Sequence, residues 1–141
     1  MSVLVRTALS VTMVILVSAA AVLSGQSTTI QASNGWVKAP AAGAKTAMAF
    51  ATINNPTAYD VYFTTAVTDA AGKVEFRDAS KGTQPAEFAI APAYGSLAMD
   101  QKGVHMMLLD LKRTLKAGEM VALTLTTSDG AKLQVSAAVR N

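Results

Sequence analysis

From residue 46 to the C-terminus, turn signals cut the chain so often that no helix-length apolar pattern fits between them. Asn55-Pro56 ends the run TAMAFATIN at 46–54, because proline cannot donate to a β ladder and its predecessor avoids helical backbone. Asp69-Ala70-Ala71-Gly72 separates DVYFTTAVT at 60–68 from KVEFR at 73–77, and both runs carry strand residues. Gly103, Ala117-Gly118 and Asp129-Gly130 then punctuate segments at 96–101, 104–110, 119–127 and 132–139. The last two form the clearest hairpin. Val121, Leu123 and Leu125 share one face, Leu133, Val135 and Ala137 another, around Ser128-Asp129-Gly130-Ala131. Short strands at this spacing specify an all-β domain, an antiparallel Greek-key β-sandwich of about seven to nine strands.

The N-terminal stretch has a different character. Arg6 supplies a positive charge, residues 8–23 carry none, and small residues follow at Ser18, Ala19, Ala20, Ala21, Ser24 and Gly25. A charged start, an apolar centre and a small-residue exit are the layout of a secretory signal peptide. The expected division is a signal at 1–25 and a β-sandwich domain at 26–141, with an exported, periplasmic destination. The alternative is an uncleaved anchor, because the apolar run approaches the roughly 20 residues that span a bilayer. No cysteine follows the run, so a bacterial lipoprotein anchor is not expected.

Composition excludes several functions. The chain holds no cysteine, so disulfides and thiolate zinc sites are ruled out. Its net charge is only +3, and Lys38, Lys73, Lys102 and Lys132 are scattered among acids. That is a solvated surface and no nucleic-acid stripe, and a membrane partner is not expected after signal cleavage. The single histidine, His105, lies in no nucleophile motif, and no glycine-rich phosphate loop is present. Asp100 and Asp110 flank the histidine segment without the pairing that acid/base catalysis uses. The chain reads as a binding domain, not an enzyme. Trp36 is expected to pack on the sandwich rim.

Within Gly103-Val104-His105-Met106-Met107-Leu108-Leu109, strand geometry puts His105 and Met107 on one face and Met106 on the other. Imidazole nitrogen and thioether sulfur together favour Cu(I) over zinc, magnesium or calcium. The structural alternative is an edge histidine beside methionines that fill the core. Met48, Met99 and Met120 sit in alternating apolar runs and read as core residues.

Residues 30–139 also resemble the periplasmic copper chaperones called PCuAC. The likeness is carried by Gly-Trp-Val-Lys-Ala-Pro at 35–40, Thr-Ala-Met-Ala-Phe-Ala-Thr-Ile-Asn-Asn-Pro at 46–56 and Gly-Lys-Val-Glu-Phe at 72–76. It is strongest at 103–119, where His-x-Met precedes a Leu-Lys-x-x-Leu-x-x-Gly turn. The resemblance implies a cupredoxin-like Greek-key sandwich that binds copper through two His and two Met. It also implies delivery of Cu(I) to a copper-accepting partner such as cytochrome oxidase assembly. Only His105 and Met107 carry over as metal ligands. Phe76 stands at the place of the family's first His, and Thr83 or Gln84 at that of its first Met. The expected cofactor is therefore weakly held Cu(I). The alternative is a metal-free paralogue that kept the scaffold as a protein-interaction module.

Overall fold

The computed structural model describes residues 29–82 and 84–141. The expected signal at 1–25 and Thr83 lie outside the described residues. Ten strands follow in chain order: β1 Gln31–Lys38, β2 Ala47–Asn55, β3 Val61–Thr68, β4 Ala71–Asp78, β5 Pro85–Ala86, β6 Ala89–Ala91, β7 Gly95–Ala98, β8 Val104–Leu111, β9 Met120–Thr127 and β10 Lys132–Arg140. The described residues hold no α-helix, only a 3-10 turn at Ala79–Lys81. The all-β sandwich expected from the turn spacing is present.

Hydrogen bonding orders the strands β5-β4-β8-β2-β1-β10-β9-β3-β6, and β7 adds to β2. A further pairing of β3 with β4, through Ala66 and Val74, closes the central strands into a barrel. The non-consecutive pairs β3–β9 and β4–β8 are the crossovers expected of Greek-key connectivity. One pairing departs from the antiparallel expectation. β1 runs parallel to β10, matching Trp36 with Ala138 and Val37 with Val139. A parallel pair needs a long crossover, and here nearly the whole domain separates the two strands.

The core forms where alternation turns apolar side chains inward. Ala47, Ala49, Ala51 and Ile53 of β2 meet Met106 and Leu108 of β8, Phe76 of β4, and Val121, Leu123 and Leu125 of β9, all buried. β3 preserves this pattern through an irregularity. Its register with β9 shifts between Phe63 and Thr65, and the extra residue brings both Phe63 and Ala66 inward.

β1 escaped the sequence reading because its alternation is broken. Its register with β2 shifts between Ser33 and Trp36, and Asn34 adopts a left-handed φ of 52°. Gly35 follows because β10 passes too close for a side chain. A Cβ there would collide with the Ser136 carbonyl oxygen and lie 3.2 Å from Val135 Cγ1. The same passage brings β1 against β10 and so completes the barrel. Gly35→Ala is therefore expected to destabilise the domain by about 2 kcal/mol, the usual cost of overpacking against backbone. Urea denaturation followed by far-ultraviolet circular dichroism would measure it. An unchanged midpoint would contradict the close approach.

Candidate metal-binding face

The segment around the single histidine begins with a tight turn. Asp100 organises it: the Lys102 N–H donates to Asp100 Oδ1 at 2.8 Å, and the Asp100 N–H donates to the Val104 carbonyl at 3.0 Å. Gly103 lies inside this turn, with room for a Cβ only 3.3 Å from Asp100 Oδ1. Its carbonyl then serves two donors. It accepts the Ala79 N–H at 3.0 Å, which ties the 3-10 turn to the start of β8. It also lies 3.0 Å from His105 Nδ1. A carbonyl only accepts, so Nδ1 carries the hydrogen, and in the neutral ring Nε2 keeps a free lone pair.

β8 lies between β4 and β2, and the two registers define a grid of side chains. Arg77, Glu75 and Lys73 of β4 stand opposite His105, Met107 and Leu109. On the other side Met48 of β2 stands opposite Met107, and Ala49 opposite Met106. Directly paired residues share a face of a sheet. His105, Met107, Met48, Glu75 and Arg77 therefore all project outward, while Met106 and Leu108 fill the core. The expected placement of His105 and Met107 on one face, with Met106 turned away, agrees with this register.

Three expectations need correction. A metal ligand on an outer face would ordinarily be open to solvent, yet only 4% of the His105 surface is accessible. The Phe50 ring lies 6.1 Å away between centroids, and Trp36 stacks on Phe50 at 4.5 Å with Arg140 above it at 5.2 Å. Trp36 thus has a packing role, as expected. His105 Nε2 has no hydrogen-bond partner among the described residues, and no unpartnered buried side-chain nitrogen or oxygen occurs among them. The residual opening of the ring therefore includes Nε2.

Phe76 is the second correction. It points into the core, buried, because it is one residue out of phase with the outward row of β4. The β4 side chain that faces His105 across the ladder is Arg77. The third concerns the methionines. Met99 is buried as expected, but Met120 is 59% exposed, since Val121, Leu123 and Leu125 take the inward phase of β9. Met48 is half-buried, paired with Met107 and packed against the core cluster from its edge rather than enclosed in it. Gln84 is exposed between β4 and β5.

Electrostatics along β4 orient the flank of this face. Lys73 Nζ lies 2.9 Å from Glu75 Oε1, and Arg77 donates through Nη2 and Nε to Oε2 at 3.0 and 3.3 Å. The Lys73 bond first, then the Arg77 bond, holds the Glu75 carboxyl below the usual glutamate range. Arg77 is thereby drawn along β4 toward Glu75. No cluster of three His, Asp or Glu side chains fit for a metal occurs among the described residues. What the face offers is soft: one imidazole nitrogen and two thioethers on adjoining strands.

Comparison with known proteins agrees with this architecture. Residues 30–139 match the family described as "Putative lipoprotein LpqE-like". A protein of Leifsonia xyli subsp. xyli named "Putative lipoprotein Lxx21020" is 30% identical over 118 residues, 79% of this chain and 70% of that protein. The apo PCuAC domain from PmoF1 has a TM-score of 0.72 at 23% identity, covering 79% of this chain and 92% of that one. The copper-bound PCuAC domain from PmoF2 has a TM-score of 0.70 at 20% identity, with the same coverage. The solution structure of the Cu(I) form of DR1885 from Deinococcus radiodurans has a TM-score of 0.65 at 30% identity, covering 80% of this chain and 77% of that one. The fold is thus the cupredoxin-like sandwich of PCuAC domains, and the chain belongs to the LpqE-like family.

Proposed function

We propose that this protein is an exported copper carrier that holds Cu(I) through His105 and Met107 and passes it to a copper-handling protein. The observation that carries the reading is the state of His105. Its Nδ1 is committed to the Gly103 carbonyl, which leaves Nε2 as the available lone pair on the same outer face as Met107. A fixed tautomer beside a thioether suits a soft monovalent ion. Nearby Glu75 is engaged by Lys73 and Arg77, so it offers little to a hard divalent ion. The copper-bound PmoF2 domain and the Cu(I) form of DR1885 support the same chemistry by likeness of fold. The names of the family and of its Leifsonia relative suit an envelope location, with 1–25 as the signal and 26–141 as the carrier domain.

A carrier without catalysis fits the donor set. Among the described residues no serine or threonine hydroxyl bonds the His105 ring, and thioethers neither give nor take protons. Cytochrome oxidase assembly is one destination consistent with the PCuAC likeness. A second reading, a metal-free interaction module, draws on Arg77, whose cation stands opposite His105 where a further ligand would help.

Titration with Cu(I) against a competing chelator tests the proposal. One equivalent is expected to bind, and the His105→Gln, Met107→Leu double variant is expected to lose at least tenfold in affinity. Unchanged affinity in that variant would place the ion elsewhere, and no binding by the wild type would favour the metal-free module. Arg77→His is expected to tighten binding, because it sets a second imidazole opposite His105 and removes a cation. Phe76→His should not tighten it. That change puts a polar ring into the core and is expected to cost about 3 kcal/mol in thermal or urea unfolding. The reverse ranking of the two variants would contradict the assigned faces of β4.

A further inference from the structure

We propose that Met48 is a third copper ligand, completing a His105–Met107–Met48 site across β8 and β2. This step rests on the reading of His105 and Met107 as a Cu(I) pair. It adds a donor that the motif itself does not contain, supplied by a strand that enters the domain about 60 residues earlier in the chain.

The register carries the argument. Met48 pairs directly with Met107 across an antiparallel ladder. Side chains so paired have Cβ atoms about 4.5–5.5 Å apart, and diagonal neighbours such as Met48 and His105 about 7–8 Å apart. A methionine has three rotatable bonds beyond Cα, so both sulfurs can turn toward one point over the sheet. Bonds from a soft first-row ion to sulfur or nitrogen run about 2.0–2.3 Å, which places two bound sulfurs closer than about 4.6 Å. Paired methionines can reach that distance by side-chain rotation alone.

Phase supports the same assignment. Ala47, Ala49 and Ala51, the residues around Met48, point inward and are buried. If β2 needed bulk at this point for its core, an inward position would carry it. Met48 instead lies half-buried on the outer face, next to Met107, which is half-buried too. The pairing leaves the two thioethers on adjoining strands of one face. On the β4 side, Glu75 is held between Lys73 and Arg77. On the next row, Phe50 and Trp36 wall the ring of His105. The stiff donor is the histidine, locked by Gly103; the two adaptable donors are the methionines. Three soft donors without a free carboxylate match the low coordination number and single charge of Cu(I).

The test labels the methionine ε-methyl groups with carbon-13 in the protein and adds Cu(I) under reducing conditions. Assignments come from the single variants Met48→Leu and Met107→Leu, each expected to conserve volume. One equivalent of Cu(I) should shift the Met48 and Met107 methyls together and leave Met120, exposed on β9, in place. Met48→Leu should weaken Cu(I) binding tenfold or more in chelator competition, whereas Met120→Leu should not. A Met107 methyl that shifts while Met48 stays, with Met48→Leu losing less than tenfold, overturns the third ligand and leaves the His105–Met107 pair standing. If neither methyl shifts, both readings fall. Each assignment needs only the loss of one methyl resonance from a copper-free variant, and the Cu(I)-induced shifts are then read in the wild-type protein.

Discussion

The register of β8 against its two neighbours decides everything on the candidate face. A strand has a period of two, so a slip of one residue would exchange every inward side chain for an outward one. The core forbids that slip. Met106 and Leu108 are fully buried between Ala47 and Ala49 of β2 and Phe76 of β4, and none of these positions could be traded for Arg77, Glu75 or His105. Hydrophobic burial on the inside thus sets, to the residue, which donors stand side by side on the outside. The outward trio of His105, Met107 and Met48 is the other side of the same constraint.

The face is stiff on one flank and adaptable on the other. His105 is held by the Gly103 carbonyl, which is itself fixed by the Ala79 N–H and by the Asp100 turn. Phe50, Trp36 and Arg140 stack in sequence beside it. Met107 and Met48 are half-buried, Met48 against the core cluster, and thioether side chains change rotamer at low cost. A carrier of the proposed kind would benefit from this division: the fixed imidazole would orient the ion, and the flexible sulfurs would release it to a competing set of soft ligands. The charge row of β4 has a separate role. Two cations engage Glu75, and the Ser80 N–H and hydroxyl engage Asp78, so the carboxylates near His105 already have partners.

Much of this was legible in the sequence, for local reasons. The strands with unbroken alternation, such as β8, β9 and β10, were read close to their true bounds, and so was the shared face of His105 and Met107. What escaped was non-local or out of phase. β1 was hidden by the register shift at Ser33–Trp36, and β5 and β6 are too short to leave a periodic signal. Phe76 was read at the place of the family's first His, but strand alternation turns it into the core, and the β4 residue opposite His105 is Arg77. Met48 could be assigned to an apolar run, but only the pairing of β2 with β8 shows that it faces Met107. The burial of His105 likewise depends on Phe50, a residue distant in sequence.

The central claim is that a soft ion is held on this face by one imidazole and by thioether sulfur. X-ray absorption at the copper K-edge of the Cu(I)-loaded protein measures that directly. The predicted spectrum has the edge of a low-coordinate Cu(I) centre, with one nitrogen scatterer showing imidazole multiple scattering and two sulfur scatterers. A first shell made only of nitrogen and oxygen would contradict the account.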